Sequence, residues 1–194
     1  MTLRPTCLAI ASLLAAAAAQ AQIVNIDASH GFTYDRGGSD PAPLPGQHIN
    51  PIGAPLMLTL DAGTYQLTNA AGQPGADFSA WSFNVGTASW YWAFVTYDAA
   101  NNQTLRYFAA GDVKSSPAAV AAQPAVQTFS DQLVLTQRTT VGFTLRDYFV
   151  PDNAGGISVR VSAVSPVPEP APVALLLAGL GAVGLLARRR AVAG

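Results

Sequence analysis

The chain has 194 residues, of which 50% are hydrophobic, and a formal net charge of −1 at pH 7. This near-neutral balance excludes the basic surface that nucleic-acid binding requires, so no nucleic-acid partner is expected. A single cysteine excludes an internal disulfide, and core packing must therefore stabilise the fold. The length is compatible with one domain plus targeting segments.

The first 21 residues have the pattern of a secretory signal peptide. Arg4 supplies the positive start, residues 8–19 are apolar, and Ala19-Gln20-Ala21 is a small-residue cleavage pattern. We therefore predict export, with cleavage after Ala21. Cys7 lies before the apolar stretch, so the mature chain would contain no cysteine.

Residues 22–164 are predicted to form the exported domain. From residue 22 to residue 166 there are ten Asp against six Lys and Arg, a net charge of −4. Acidic residues that are all aspartate favour a β protein with polar turns. A strand is predicted at residues 23–26, followed by a long Gly/Pro-rich loop to residue 55. This loop is interpreted either as functional or as a poorly ordered arm, and its two histidines, His30 and His48, as solvated.

The middle of the chain alternates apolar and polar residues. Alternation at residues 56–60 and 64–68 predicts a β-hairpin, with Gly63 in its turn. A strand is predicted at residues 81–85. Residues 90–97 (WYWAFVTY) are apolar on both faces, which favours a central strand with both faces covered. The alternative is a sugar-stacking surface, with Trp90, Trp92 and Tyr34 as the ligand-binding residues.

The remaining segments complete an all-β pattern. Further strands are predicted at residues 105–108, 126–129, 133–136, 141–145 and 157–164. The Ala/Pro/Ser-rich residues 111–125 are predicted to form a disordered or protease-sensitive loop. About eight short strands with Gly, Pro and Asp turns predict an antiparallel β-sandwich of jelly-roll-like type.

The C-terminus contains three parts in sequence. Residues 165–170 are a Pro-rich linker that includes Val167-Pro168-Glu169-Pro170. Residues 171–187 carry no charge, and as a helix they would extend about 25 Å, enough to cross a thin bilayer. Arg188, Arg189 and Arg190 follow, so the positive-inside rule places residues 188–194 in the cytoplasm. We predict a single transmembrane helix at 171–187.

These three parts together resemble the PEP-CTERM sorting signal. The resemblance implies recognition and cleavage near Pro168-Glu169-Pro170 by a membrane-embedded exosortase. The protein would be held briefly in the inner membrane with its folded domain in the periplasm, and would then move to the cell surface or extracellular matrix. The same tail is also known as the C-terminal domain of ice-binding proteins, a name that implies no ice binding here. The alternative is an ordinary C-terminal membrane anchor.

Residues 147–156 (DYFVPDNAGG) contain the strongest candidate for a metal site. Asp147, Asp152 and the side-chain carbonyl of Asn153 offer three oxygen donors of the kind that calcium prefers. The stretch DNAGGISV resembles a segment of small bacterial galactose-binding lectins, calcium-dependent β-sandwich modules. The resemblance implies that Ca²⁺ assists sugar binding. The alternative is that Asp152-Asn153 only forms a turn.

No catalytic motif is present in the sequence, and we interpret the chain as a non-enzyme. The favoured hypothesis is a surface or matrix protein that binds extracellular polysaccharide. A structural matrix or biofilm protein without a ligand site is the second hypothesis. A surface hydrolase using His30, His48 or Asp147 is the third.

Overall fold

Strands account for most of the regular structure. The structure, a computed structural model, describes residues 21–84, 86 and 89–164. Every strand pair in this part of the chain is antiparallel. The strands are β1 (Gln22–Asp27), β2 (Gly31–Thr33), β3 (Asn50–Ile52), β4 (Leu56–Leu60), β5 (Gly63–Asn69), β6 (Ser79–Ser82), β7 (Trp90–Asp98), β8 (Gln103–Lys114), β9 (Ser130–Leu135), β10 (Thr139–Thr144) and β11 (Ala154–Ala163). The helices are α1 (Pro117–Ala121), α2 (Pro124–Gln127) and the 3₁₀ turn Val150–Asp152.

The main sheet divides into two groups of four strands. One group has the order β8-β7-β10-β4 and the other the order β1-β11-β5-β9. Strand β6 connects them, because it pairs with β7 on one side and with β11 on the other. Buried side chains from both groups form one core cluster. The antiparallel all-β prediction is confirmed, and the two-group arrangement fits a β-sandwich.

Strand β7 is buried on both faces, as the sequence predicts for a central strand. Successive side chains of a strand point to opposite faces. Trp92 and Phe94 pack in the core between the two groups of strands. Val95 and Tyr97 pack in a second cluster on the opposite face.

The N-terminal arm, residues 28–55, supplies the cover of that second face. Strands β2 and β3 pair with each other, and the arm buries Phe32, Tyr34 and Ile49 against β7. The interpretation as a poorly ordered arm is therefore wrong. The many Gly and Pro residues concealed three aromatic or aliphatic anchors, which are too widely spaced to form a periodic pattern.

Hydrogen bonds attach the arm to the segment after β10. The Phe32 amide donates to the Asp147 carbonyl over 2.8 Å, and the Thr144 hydroxyl donates to the Gly31 carbonyl over 3.0 Å. A Cβ atom at Gly31 would lie 2.0 Å from the Asp147 carbonyl oxygen. Only glycine therefore permits this close approach of the two backbones.

The predicted hairpin of residues 56–60 and 64–68 is wrong, although both strands exist. Strand β4 pairs with β10, whereas β5 pairs with β11 and β9. The short link at Asp61-Ala62 carries the chain from one group of strands to the other. Alternation predicts a strand and its buried face, but it does not determine the neighbouring strand.

The predicted loop at 111–125 is also wrong. Strand β8 continues to Lys114, and α1 and α2 follow. The Ser116 hydroxyl accepts from the Ala119 amide over 3.2 Å, and Pro117 occupies the first turn of α1. Ser-Pro is a helix-start pattern as well as a loop pattern. Residues 126–129, predicted as a strand, lie in and after α2 instead.

Among the described residues, no helix is long and apolar enough to span a membrane. The predicted transmembrane helix 171–187, the linker 165–170 and the tail 188–194 lie outside the described residues, as do residues 1–20 of the predicted signal peptide. The strands run from Gln22 to Ala163, within the range predicted for the exported domain.

Candidate functional site

An aromatic cavity of about 440 Å³ lies where the N-terminal arm, β7, β8 and the segment after β10 meet. Aromatic side chains come from four different parts of the chain. They are Phe83 after β6, Tyr91 and Trp92 on β7, Tyr107 on β8 and Tyr148 after β10. Its volume is in the range of small-ligand sites, about 300 to 1,000 Å³. We call this space the aromatic cavity.

Two of its aromatic residues are open to solvent. Tyr148 is 56% exposed and Phe83 is 41% exposed. The Phe83 ring packs edge-on against the Tyr91 ring, with the ring centroids 5.7 Å apart. Tyr91 in turn lies 4.3 Å from the ring of Trp81 in the core. The Phe83 ring therefore rests on Tyr91, which in turn packs on the core.

Charged groups complete the lining. The Arg146 guanidinium lies 5.7 Å from the centroid of the Tyr107 ring, and its Nη1 atom is 3.0 Å from Asp40 Oδ1. Asp147 also lines the cavity and is 9% exposed. The aromatic cavity thus combines apolar ring surfaces with one cation and two carboxylates.

Burial raises the pKa of two tyrosine hydroxyls in the aromatic cavity. It raises the pKa of Tyr91 far above its ordinary value, and the charge of Arg146 only partly opposes this effect. Burial likewise raises the pKa of Tyr107 against the opposing effect of Arg146. Both hydroxyls therefore remain donors as well as acceptors near neutral pH.

The predicted calcium residues lie in the connection between β10 and β11. These strands do not pair with each other, so the connection is not a hairpin loop. Asp147 Oδ1 accepts from the Phe149 amide over 3.0 Å. The Asn153 side-chain amide donates to the Ala28 carbonyl over 3.0 Å, and Asp152 ends the 3₁₀ turn.

Two of the predicted calcium ligands have unsatisfied oxygens. Asp152 Oδ1 and Asn153 Oδ1 are buried and have no hydrogen-bond partner among the described residues. Buried acceptors of this kind normally have a partner, water or an ion. Among all the residues that the structure describes, no group of three or more His, Cys, Asp or Glu side chains is placed to hold a metal ion.

Two of the three predicted ligand-binding residues are buried. Trp92 is 1% exposed and packs on Phe129 in the core, with ring centroids 4.3 Å apart. Tyr34 is 4% exposed, and its hydroxyl donates to the Pro41 carbonyl over 2.6 Å. Trp90 is partly buried against the core. Trp92 contributes to the lining of the aromatic cavity, but neither Trp92 nor Tyr34 offers an exposed ring face, so the prediction of stacking at these two residues is wrong.

His48 lies away from the aromatic cavity. Its Nδ1 atom is 3.2 Å from Asp35 Oδ1, and the Asn50 side chain donates to the same oxygen over 2.9 Å. The Asn50 hydrogen bond and, to a smaller extent, His48 lower the pKa of Asp35. His30 contributes its backbone carbonyl, which accepts from the Leu145 amide over 3.2 Å.

Sequence reasoning missed most of the aromatic cavity. It identified Trp92 as a ligand-binding residue and Asp147 as a calcium ligand, but it did not single out Asp40, Tyr107 or Arg146 as site residues. The stretch Arg146-Asp147-Tyr148 beside a buried strand was a local signal for a site. Nothing in the sequence indicated that Asp40 of the N-terminal arm would reach it.

Fold and cavity together define a class, an antiparallel all-β protein with an aromatic, mixed-charge cavity beside its N-terminal arm. The chain also carries a PEP-CTERM protein-sorting motif, whose family model matches residues 166–190. The match contains the predicted motif residues Val167-Pro168-Glu169-Pro170 and Arg188–Arg190, and it confirms that prediction. The motif implies export, exosortase processing and cell-surface sorting.

Neither the curated proteins nor the solved structures that were searched contain a match to the chain. The function of the folded domain must therefore be argued from the aromatic cavity itself.

Proposed function

We propose that this protein is a non-catalytic carbohydrate-binding module, a jelly-roll-like β-sandwich that the sorting motif directs to the cell surface. The aromatic cavity is the observation that carries the proposal. Sugar rings have apolar C–H faces that stack on aromatic side chains and hydroxyl edges that need polar partners. Tyr148 and Phe83 supply exposed rings, and Arg146, Asp147 and Tyr107 supply the polar groups.

An extracellular polysaccharide is the partner that this location favours. A surface-sorted protein meets the polymers of its own matrix at high local concentration. The inner membrane is the second proposed partner, through the helix at 171–187 before processing. Two buried side-chain oxygens without hydrogen-bond partners, Asp152 Oδ1 and Asn153 Oδ1, support a calcium ion in the connection between β10 and β11.

Where calcium binds, Asp152 and Asn153 would hold it, and the ion would supply a positive charge that stabilises this connection. Asp147 is less suited, because one of its oxygens already accepts from the Phe149 amide.

A calcium ion at about 100 times its dissociation constant should raise the melting temperature by roughly 5 to 10 °C relative to EDTA. Asp152→Ala should abolish this shift.

The binding test compares two neighbouring tyrosine and phenylalanine side chains. Tyr148 lines the aromatic cavity, whereas Phe149 does not, and their exposed fractions of 56% and 55% are matched. The full chain in detergent is titrated with a panel of soluble polysaccharides. Tyr148→Ala should weaken binding about tenfold, or ~1.4 kcal/mol, while Phe149→Ala should leave it unchanged.

Equal losses in both variants would contradict the assignment of the aromatic cavity. Absence of binding across the panel would favour the structural matrix protein instead. The hydrolase alternative requires that a polysaccharide of the panel is cleaved and that cleavage is lost in Asp147→Asn.

A further inference from the structure

Arg146 is a cation held in place by its surroundings but poorly neutralised. Its side chain is 26% exposed and lies against the ring of Tyr107. Its Nε–H group is buried and has no hydrogen-bond partner in the part of the chain that the structure describes. The guanidinium therefore retains donor capacity that the fold does not use.

The carboxylate that pairs with Arg146 is the exposed one. Asp40 lies 3.0 Å from Arg146 Nη1, yet its side chain is 85% exposed. An exposed carboxylate is largely hydrated and loses side-chain entropy when it holds one position, so such pairs contribute little. Asp40 can leave Arg146 without burying an unpaired charge of its own.

A second arginine, Arg36, contacts the backbone of Asp40 but does not line the aromatic cavity. Arg36 Nη2 donates to the Asp40 carbonyl over 3.0 Å, and the guanidinium lies 5.3 Å from the Tyr34 ring centroid. The other acidic side chain, Asp147, is engaged by the Phe149 amide. An arriving anion would thus meet the Arg146 guanidinium in the aromatic cavity once the Asp40 side chain has moved away.

We propose that the ligand is an acidic polysaccharide, and that a uronic-acid carboxylate replaces Asp40 on Arg146. This inference rests on the proposed carbohydrate-binding function and names its ligand class. A guanidinium presents its donors in a fork that matches a carboxylate. A uronic acid carries that carboxylate on a sugar ring, whose apolar face stacks on Tyr148. Arg146 is thus the specificity-determining residue.

The test compares oligouronates with their own methyl esters, which keep the sugar ring and remove the charge. Oligogalacturonate, oligomannuronate and oligoguluronate are titrated into the full chain in detergent, with EDTA present. At least one free acid should bind about tenfold or more tightly than its ester. Raised salt should weaken binding of the acid and leave that of the ester unchanged.

Variants of the ion pair give opposite expected effects. Arg146→Gln should remove the preference for the free acid, so that the affinities of this variant for acid and ester agree within about twofold. Asp40→Asn removes the competing carboxylate and should strengthen binding of the acid several-fold. Because Asp40 is 85% exposed, this variant should fold even if the arginine variant does not.

An exposed ion pair elsewhere provides the control. Arg138 and Asp61 are 3.3 Å apart and 73% and 77% exposed. Arg138→Gln and Asp61→Asn should leave both affinities unchanged, because this pair does not line the aromatic cavity.

Other results would overturn either the uronate inference alone or the proposed carbohydrate-binding function. Equal binding of acid and ester, or acid binding that survives Arg146→Gln, would overturn the uronate inference while the carbohydrate function stands. Arg146-dependent binding of dextran sulfate without binding of any uronate would also overturn it. If neither these oligomers nor the polysaccharide panel bind, the proposed function itself fails.

Discussion

Tyr91, Tyr97 and Tyr107 have hydroxyl groups that are withdrawn from water by neighbouring strands. Burial raises the pKa of Tyr97 to about 12, and it raises the pKa values of Tyr91 and Tyr107 as well. The ring of Tyr97 lies over β10 at Gly142, where a Cβ atom would be 2.2 Å from its Cζ atom. A glycine on one strand thus allows a buried tyrosine on the next.

These tyrosines predict loss of stability at high pH. Above pH 10 the unfolded chain ionises its tyrosines while the folded chain keeps them neutral, so the free energy of unfolding should fall. The fall begins near pH 10, continues to the folded pKa, and amounts to about 1.4 kcal/mol per pH unit for each tyrosine. Urea unfolding of the full chain between pH 8 and pH 11.5 measures it.

Removal of one buried tyrosine hydroxyl tests whether tyrosine ionisation causes the loss of stability at high pH. Tyr97→Phe should reduce the pH slope between pH 10 and pH 11.5 by about one tyrosine's contribution. Tyr148→Phe is the control, because its ring is 56% exposed in the folded chain. A slope that is unchanged in Tyr97→Phe would show that other groups cause the alkaline loss.

At the scale of elements, the segment of α1 and α2 is helical although its local sequence favours helix only weakly. Neither helix exceeds five residues, a length that is unstable in isolation. Val120 and Val126 are nevertheless 0% exposed and belong to the main core. Tertiary burial, with the Ser116 cap, stabilises a segment whose composition indicates a loop.

Val120→Ala should therefore destabilise the protein. The change removes buried methyl groups and leaves a cavity, for an expected loss of about 2 kcal/mol in the free energy of unfolding. Val134→Ala is the matched control, since Val134 is 64% exposed on β9, and it should change stability by less than about 0.5 kcal/mol. Chemical denaturation measures both.

Limited proteolysis examines the same segment independently. Under native conditions, residues 111–127 of the unaltered chain should resist cleavage, because α1 and α2 are packed on the core. Rapid cleavage there, or equal effects of the two valine substitutions, would contradict the packing of these helices.

For the whole molecule, the sorting motif and the folded domain have separate requirements. Exosortase processing acts on the motif at 166–190, which contains Pro168-Glu169-Pro170. The folded domain ends with β11 at Ala163, so little chain separates the two. Processing and folding can therefore be perturbed independently.

Replacement of Pro168, Glu169 and Pro170 by alanine should block processing while the domain still folds. Most of the protein should then remain in the membrane fraction at its unprocessed mass, instead of reaching the cell surface. Immunoblots of membrane and surface fractions from the native host measure the distribution. Ser165→Ala, just outside the matched residues, should not change it; an unaltered distribution in the triple variant would contradict exosortase processing.

The sequence by itself predicted those features that depend only on residues close together along the chain. Strands β1, β7, β9, β10 and β11 follow from alternation or from apolar runs, because a strand's buried face is encoded every second residue. The sorting motif was readable because its proline, apolar and arginine parts act as a linear peptide. Burial of both faces of β7 also followed from its residues.

Only the tertiary structure decided which strands pair and which side chains meet. The link at Asp61-Ala62 joins two groups of strands, although its sequence is equally suited to a hairpin. The N-terminal arm brings Asp40 to Arg146, across most of the chain, and so completes the aromatic cavity. The physical reason is that such contacts depend on long-range packing, whereas sequence periodicity reports only on a residue's immediate neighbours.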